Sequence, residues 1–420
     1  MEKNTPLHLF QAFGVELEYM IVDKNTLNVK PIADQLLKSV LGDYGDEYEN
    51  GSVTWSNELV SHVIEIKCTR PTADLVQLAK DFAANVRRIN ELLAPLEARL
   101  MPTAAHPWMN PEKETQLWPY GNKEIYSTYD RIFNCKGHGW SNLQSTHLNL
   151  PFASDEEFGR LHAAIRMLLP VLPALTASSP ILDGQFSGMM DKRLDYYRNN
   201  QKKIPQICGS VIPEQAFSKV SYDQMIYSPI EEAITAYDPD QILEAVWLNS
   251  RGAIARFDRG AIEIRILDIQ ESPASDLALL SLIIAALRWM TDEKSISLQK
   301  QMDWPTELLY SIFDQVIQKA DQATIKDAAY LSAMGVDQNE ASLQQFWQQM
   351  HQQLKQAYPE WLAPWNERIG KIISQGSLAG RIVKAAEGHF NQPNLKLIYQ
   401  ELSDCLQEDE FFETWQKQAY

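Results

Sequence analysis

The sequence predicts an α+β fold in which strands lie before residue 294 and helices occupy the chain beyond residue 295. Several short segments alternate polar and apolar residues with the period of two that is typical of half-buried strands. Other segments, such as the one from Leu75 to Leu92, repeat apolar residues at helical spacings of three and four. We therefore expect one domain over residues 1–294 and a helical C-terminal region over residues 295–420 that packs on it.

Length and composition limit the classes of protein to which the chain can belong. Its 420 residues, 45% of them hydrophobic, are enough to bury a large core. The formal net charge of −17 repels nucleic acids and anionic membranes, so we expect neither as a partner. An anionic nucleotide would need a local basic cluster and bridging cations. The four cysteines are widely spaced without a CxxC pair, which favours reduced, buried thiols over disulfides or a zinc site.

Neither a membrane span nor a secretion signal is predicted. The longest apolar stretch, Leu277 to Leu287, is interrupted by Ser281 and is shorter than the roughly 18 residues that cross a bilayer. The start of the chain, MEKNTPLHLF, lacks the charged, apolar and small-residue segments of a secretory signal. We therefore expect a cytoplasmic location.

Four predicted strands share one design, with polar side chains on one face and apolar side chains on the other. In the run AIEIRILD, isoleucine stands at 262, 264 and 266, which leaves Glu263 and Arg265 together on the opposite face. The polar pairs of the four strands are Glu16 and Glu18, Glu65 and Lys67, His147 and Asn149, and Glu263 and Arg265. These strands are otherwise too apolar for a freely solvated face. A sheet face that gathers such hard oxygen ligands predicts a site for Mg²⁺ and phosphate.

Each of these segments also has an ordinary structural explanation. Two glutamates two residues apart most often lie on a solvent-facing edge, and a single strand histidine is more often a hydrogen-bonded core residue than a ligand. Arg265 could simply neutralise Glu263. Glu58 precedes Glu65 by an odd separation, so both reach one site only if a bulge or bend intervenes. The coincidence of all the segments favours a common site.

Caps and turn residues predict the elements between the strands. Thr72 can cap the helix from Leu75 to Leu92, and Ser154 with Glu157 can form a capping box for the helix after the His147 strand. Residues 102–140 are rich in Pro, Gly, Asn, Trp and Tyr without a sustained period, which predicts long loops that shape a substrate site.

Two further segments precede the C-terminal region. A turn-rich stretch, ASSPILDGQFSGMMDKRLDYYR, carries Lys192, Arg193 and Arg198. After the AIEIRILD strand, Ser272 can cap a helix that has Pro273 at its first position and ends near Thr291.

The chain resembles a known family through motifs that occur in order from Phe13 to about Asp276. They are GVELE, ELVSHVIEIKCTRP, AAHPW, QSTHLNL, ASSP with the Lys192-Arg193 segment after it, and GAIEIRILD. These motifs resemble the glutamate-cysteine ligases, notably the carboxylate-amine ligases of the second glutamate-cysteine ligase group. The helical C-terminus matches through GSLAGRIV only. The resemblance implies a glutamine-synthetase-like fold, a curved, mainly antiparallel sheet that holds Mg²⁺ and ATP on its concave face and is backed by helices.

The resemblance also implies the roles of individual residues. The metal ligands that it implies are Glu16, Glu18, Glu58, Glu65, His147 and Glu263. Arg265 is expected to face the transferred phosphate, and Arg193 to hold phosphate or a substrate carboxylate. Lys192 and Arg198 complete a basic set around ATP, and Glu58 is also the candidate base for the incoming ammonium.

One position departs from the family pattern. Members often have an Arg-Tyr pair upstream of the histidine, where this chain has Ile125 and Tyr126. That substrate contact is therefore missing or passed to Arg131, which leaves the acceptor amine and the acid open.

The resemblance implies an ATP-dependent carboxylate-amine ligase that joins glutamate and cysteine into γ-glutamylcysteine through an acyl phosphate. Its co-substrate would be ATP and its cofactor Mg²⁺ or Mn²⁺. Two alternatives stay open, namely the same chemistry with another acid or amine, and a non-catalytic protein that binds divalent cations. The basic set of Lys192, Arg193, Arg198 and Arg265 favours the ligase, because a simple cation binder does not need it. The oligomeric state is open.

Overall fold

The main sheet is built from strands that are distributed over the first 270 residues of the chain. The structure is a computed structural model that describes residues 6–413, so the first half of the MEKNTPLHLF segment lies outside the described residues. Within that range the strands are β1 Gly14–Asp23, β2 Glu47–Asn50, β3 Val53–Asn57, β4 Val63–Cys68, β5 Ala98–Met101, β6 Ser145–Pro151, β7 Ile181–Leu182, β8 Gln185–Phe186, β9 Ala253–Arg256, β10 Ala261–Asp268, β11 Thr324–Ile325 and β12 Ala341–Ser342.

The main sheet has the order β2-β3-β4-β1-β6-β10-β9, and β5 also pairs with β1. Every pairing in this sheet is antiparallel. The short strands β7 with β8 and β11 with β12 form two separate ribbons. Strand β1 is central, because β4 and β6 flank it on its two sides.

Helices surround the sheet and fill the rest of the chain. Before residue 295 they are α1 Ala33–Leu41, α2 Leu75–Leu93, α3 Pro111–Glu114, α4 Lys123–Phe133, α5 His138–Ser141, α6 Asp155–Leu168, α7 Pro173–Thr176, α8 Lys192–Tyr197, α9 Lys219–Tyr222, α10 Ser228–Ile234, α11 Ala245–Leu248 and α12 Pro273–Thr291. Beyond it they are α13 Leu298–Met302, α14 Thr306–Lys319, α15 Ala328–Ala333, α16 Leu343–Ala357, α17 Pro359–Leu362, α18 Asn366–Gln375, α19 Leu378–Ala386 and α20 Gln392–Glu408. The predicted α+β class, with a mainly antiparallel sheet and a helical C-terminal region, is confirmed.

The apolar face of the sheet packs on helices. In β1, Val15, Leu17, Tyr19 and Ile21 are fully buried and belong to one hydrophobic cluster with the apolar faces of α2 and α12. The alternation of polar and apolar residues in the sequence therefore reflects burial, since every second side chain of β1 enters the core. The opposite face of β1 is left for the polar residues.

Helix α12 lies in the centre of this core. It is the one helix within residues 6–413 that is long and apolar enough to cross a membrane, and 83% of its apolar window is buried inside the protein. It contacts α2, α6, α16 and α18, so it is surrounded by other helices. A helix buried on all sides needs no polar face, which accounts for its composition. The predicted bounds, Pro273 to Thr291, are confirmed, and Ser272 occupies the N-cap position, but its side chain makes no cap hydrogen bond.

The C-terminal helices cover one end of the polar sheet face. Met20 and Val22, which follow Glu16 and Glu18 in the alternation of β1, are fully buried in a second hydrophobic cluster built with α19 and α20. A fully buried ion pair joins Arg381 of α19 to Glu271 at a distance of 3.1 Å. The polar face is thereby closed at this end, and a division of the chain at residue 294 stays a prediction.

Two local predictions were wrong. Asp74, and not Thr72, caps α2, because its Oδ1 accepts the N–H of Gln77 at 2.9 Å while the Thr72 hydroxyl accepts the N–H of Asp74. The segment predicted as long loops contains α4, whose aromatic residues have modest helix propensity and lie between Pro- and Gly-rich flanks. The spacing of Tyr126, Tyr129 and Phe133 is the helical signal that this composition concealed.

Candidate active site

The sheet register brings the polar faces of four neighbouring strands together. The directly opposed pairs are Glu16 with both Lys67 and His147, Glu18 with Glu65, and Glu263 with Asn149. Opposed residues in an antiparallel pair point to the same side of the sheet. The strand residues predicted as metal ligands therefore meet on one face, around the centre of β1.

Glu58 joins this face through the hairpin between β3 and β4. Ser56 lies opposite Glu65, so even-numbered residues of β3 share a side with odd-numbered residues of β4. Glu58 follows Ser56 by two residues, just beyond the end of β3 at Asn57, and continues the same side. The odd sequence separation of Glu58 and Glu65 required a bend between them, and this hairpin turn provides it.

Arg265 reaches the face from an irregular part of β10. The pairing of β10 with β6 shifts register between Ile264 and Leu267, and the Arg265 N–H donates to the carbonyl of Gly252 at 2.9 Å. A Cβ on Gly252 would stand 2.8 Å from the Ile266 side chain, so this close approach requires glycine. Bulges commonly re-aim a side chain beside an active site. Here Nε of Arg265 lies 2.9 Å from Oε1 of Glu263.

The acidic residues form two groups that could each hold a cation. One ligand atom from each of Glu16, Glu65 and His147 lies within 4.8 Å of the others, and the same holds for Glu18, Glu58 and Glu65. Carboxylate oxygens suit Mg²⁺ or Mn²⁺, and a deprotonated imidazole nitrogen can bind many divalent ions. Glu65 belongs to both groups, so the two positions are adjacent. The donor set therefore fits divalent cations, and Glu263 borders it through its 3.8 Å approach to His147.

The ionisation of these residues reflects their crowding. Burial and the charges of Glu18 and Glu65 raise the pKa of Glu58 well above its ordinary value. Burial and the charge of Glu16 raise the pKa of Glu65 to about 7. Burial acts to lower the pKa of His147, but the hydrogen bond to Glu16 and the neighbouring carboxylates raise it to about 9. Burial also acts to raise the pKa of Glu16, yet His147 lowers it to about 2. A cation would relieve the repulsion that keeps protons on Glu58 and Glu65.

Two cavities meet at this cluster. An outer cavity of about 730 Å³ is lined by the acidic face together with Lys67, Arg256 and Arg259. An inner cavity of about 210 Å³ is lined largely by aromatic and aliphatic side chains. The residues that line both cavities are Glu58, Tyr126, His147, Trp247 and Arg265. At this junction the guanidinium of Arg265 and the carboxylate of Glu58 lie between the polar outer cavity and the more apolar inner cavity.

Arg193 lies beneath the junction. Its side chain is 2% exposed, forms an ion pair with Asp268 at 3.2 Å and donates to the carbonyl of Arg265 at 3.0 Å. It also lines the inner cavity. Arg193 therefore both supports the bulge that carries Arg265 and presents positive charge to the inner cavity.

The other predicted basic residues lie elsewhere. Lys192 pairs with Asp195 at 2.5 Å, and Arg198 pairs with Asp195 and Asp314. Neither lines the outer or the inner cavity. Arg131 donates to the carbonyl of Tyr237 at 3.0 Å and does not line either cavity, so it does not replace the missing family arginine. A phosphate-binding role for Lys192 and Arg198 stays a prediction, to which this geometry adds no support.

The sequence reasoning missed the basic residues of the outer cavity. Lys67 opposes Glu16 in the register and pairs with Glu65 at 3.2 Å, and it was visible as the polar partner of Glu65 on β4. Arg256 ends β9, and Arg259 lies in the turn to β10. Both precede the EIR motif closely, but only the β9–β10 hairpin shows that they border the acidic face.

The model of the glutamate-cysteine ligase family 2 matches residues 12–392. The chain belongs to this family. An uncharacterized protein of Archaeoglobus fulgidus is 37% identical over 79% of this chain and 90% of its own length. A Gloeobacter violaceus protein provisionally named glutamate-cysteine ligase 2 is 22% identical over 65% of this chain and 66% of its own.

Two solved structures share the fold. A crystal structure of glutamate-cysteine ligase from Francisella tularensis in complex with AMP superposes with a TM-score of 0.57 and 13% identity, covering 94% of this chain and 88% of that one. A bifunctional glutathione synthetase from Pasteurella multocida gives a TM-score of 0.63 at 14% identity and covers 95% of this chain, which spans about half (53%) of that longer protein. Family membership makes the protein an ATP-dependent carboxylate-amine ligase related to the glutamate-cysteine ligases.

Proposed function

We propose that the protein uses ATP to convert the γ-carboxylate of L-glutamate into an acyl phosphate and then transfers the glutamyl group to an amine. The observation that carries the proposal is the junction of the two cavities, where Arg265 and Glu58 stand beside the acidic cluster. The family supplies L-cysteine as the acceptor and γ-glutamylcysteine as the product to test first. The free cysteine thiols agree with a cytoplasmic location, which belongs to the same proposal.

The outer cavity suits the nucleotide. It combines carboxylates that would hold Mg²⁺ or Mn²⁺ with three basic side chains, Lys67, Arg256 and Arg259, that can face a triphosphate. A divalent cation bound there supplies the positive charge that lets a donor carboxylate approach the γ-phosphate. Arg256 lies 3.8 Å from Glu263, so it stands where the acidic and the basic residues meet.

Arg265 is proposed to stabilise the transferred phosphoryl group. Its side chain lines both cavities, and its Nε lies 2.9 Å from Glu263 in an ion pair that leaves the N–H without a hydrogen-bond partner among the described residues. Charge that develops on the phosphoryl oxygens during transfer would meet donors already in place. Burial acts to lower the pKa of Arg265, but Glu263 and nearby acids raise it, so the group stays charged.

Glu58 is proposed to receive a proton from the incoming ammonium. It is partly buried at the junction, and its carboxylate accepts the N–H of Leu59 at 3.2 Å. Because its pKa is raised, a cation bound beside it must displace its proton before it can act as a base. The amine nitrogen forms a bond to the acyl carbon, and the bond from that carbon to the phosphate oxygen breaks. Of the two protons that the ammonium loses, one passes to Glu58 and one leaves with phosphate. Glu58 also belongs to the second cation-binding group, so its two roles need separate measurements.

The test is phosphate release from ATP with Mg²⁺ and L-glutamate across a panel of acceptors, with mass analysis of the products. A γ-glutamyl amide formed together with one phosphate per turnover supports the proposal. A product built from a different acid would move the assignment to another ligase of the same chemistry. Binding of Mg²⁺ without turnover for any acid and amine would leave only the cation-binding alternative.

A further inference from the structure

We infer that the acceptor of this ligase is a small primary amine that has an apolar or aromatic body and carries no carboxylate. The inference rests on the proposed function and specifies its second substrate. Its basis is the inner cavity, whose wall, charges and size differ from what an amino acid acceptor needs.

Aromatic side chains form part of the wall of the inner cavity. Tyr129, Trp140, Tyr197 and Trp247 line it together with aliphatic residues such as Leu143. The rings of Tyr129 and Trp140 lie 5.6 Å apart, and the Tyr129 hydroxyl donates to the carbonyl of Trp247 at 3.1 Å, so these side chains support one another. Such a wall favours contact with an apolar body.

The cationic side chains that line the inner cavity are already assigned to other parts of the substrates. Of the residues that line it, Arg193 and Arg265 are the arginines, and no lysine is among them. Arg265 is assigned to the transferred phosphoryl group. Arg193 is the one that remains for the α-carboxylate of glutamate, and it is shared with Asp268. His147 is enclosed by carboxylates. A second substrate carboxylate would therefore have no cation of its own.

The neutral polar groups do not replace that cation. The Gln201 amide donates to the Ser250 hydroxyl at 2.9 Å, and this hydroxyl donates to the carbonyl of Leu248. The Asn200 amide donates to the carbonyl of Gly139. The Tyr197 hydroxyl, by contrast, has no hydrogen-bond partner within residues 6–413. This hydroxyl is enclosed by the protein, and a neutral hydroxyl cannot balance an ionised carboxylate.

The size of the cavity limits the acceptor further. Its volume of about 210 Å³ is below the roughly 300–1,000 Å³ of typical ligand sites, and the glutamyl end of the donor must share it. A compact amine with a single ring or a short chain fits this space. A carboxylate placed against the aromatic side chains would have no cationic partner there.

The test compares acceptors that differ only by a carboxylate. L-Cysteine is paired with cysteamine, L-phenylalanine with phenethylamine and L-tyrosine with tyramine, each with ATP, Mg²⁺ and L-glutamate. We expect kcat/KM for the amine to exceed that for its amino acid at least tenfold in the pairs that turn over, with the γ-glutamyl amide as product. Higher kcat/KM for the amino acids would overturn the inference and leave the proposed function standing. No phosphate release with any acceptor would overturn both.

A charged substitution in the wall provides an independent check. Leu143→Arg adds a guanidinium to the inner cavity, and Leu143→Met is the matched uncharged control. We expect the arginine variant to shift the ratio of kcat/KM values at least tenfold toward the amino acid, while the methionine variant keeps the wild-type ratio. An unchanged ratio in a folded arginine variant would count against the inference. If melting curves show that this variant does not fold, the wild-type comparison of pairs decides.

Discussion

Mg²⁺ should displace protons when it binds the acidic cluster, because Glu58, Glu65 and His147 all have raised pKa values. With a pKa of about 7, Glu65 is largely protonated at pH 6 and largely ionised at pH 8. The Mg²⁺ affinity should therefore rise about tenfold over this range from Glu65 alone, which is about 1.4 kcal/mol. If His147, with a pKa of about 9, also releases its proton to become a ligand, the Mg²⁺ affinity should rise by about another hundredfold over the same range.

The assay is isothermal titration calorimetry at several pH values and in buffers of different ionisation enthalpy, which counts released protons directly. A rise of about tenfold between pH 6 and pH 8 would mean that only Glu65 releases a proton, and a much larger rise would mean that Glu58 or His147 releases a proton as well. Glu65→Gln should remove the tenfold component. Glu91→Gln, in an exposed ion pair with Arg88 on α2, is the control and should change nothing. An affinity independent of pH in the wild-type protein would refute the reasoning.

Three further results are expected. Glu16→Gln and Glu263→Gln should each lower turnover at least about a hundredfold with an unchanged melting temperature, the scale of losing one major transition-state contact, and near-normal rates in both would remove the cluster from catalysis. Arg265→Lys should keep its melting temperature but lose rate, because an ammonium cannot grip two phosphate oxygens, whereas unchanged kinetics would mean that Arg265 only neutralises Glu263. Burial lowers the pKa of His62 to about 4 and of His106 to about 3, so their contribution to stability is present above pH 6.5 and is lost as the pH falls toward 4. Melting curves at pH 7.5 and 4.5 should show that loss, and equal stability at both would contradict the burial of neutral imidazoles.

The strand faces could be predicted from the sequence because alternation is a local property. Glu16, Glu18, His147 and Glu263 each stand in a run whose neighbours are buried, and the pattern alone indicated which way they point. Their convergence depended on four segments having the same design. The odd separation of Glu58 and Glu65 could not be resolved locally, because the hairpin register between β3 and β4 sets the side on which Glu58 lies.

The basic residues were harder to assign, because a cation in a sequence does not reveal its partner. Lys192 and Arg198 stand in a motif beside Arg193, yet an aspartate within α8, Asp195, pairs with both of them. Arg256 has no motif, and the β9–β10 hairpin alone brings it to Glu263. The pairing of Asp195 with Lys192 and Arg198 follows from a local spacing of three residues, whereas only tertiary contacts decide the position of Arg256.

The central position of β1 has a consequence for how the protein acquires its site. Glu16 and Glu18 meet their partners only after β1 has paired with β4 and with β6, which lies more than a hundred residues further along the chain. Pairings of such long sequence separation form slowly, because the intervening chain must first be ordered. An unfolded chain has no preformed cluster, so a bound ion would stabilise only the completed sheet. Cellular Mg²⁺ would then stabilise only fully assembled molecules. Chains in which β6 pairs out of register would have no complete site for the ion and would not gain this stabilisation.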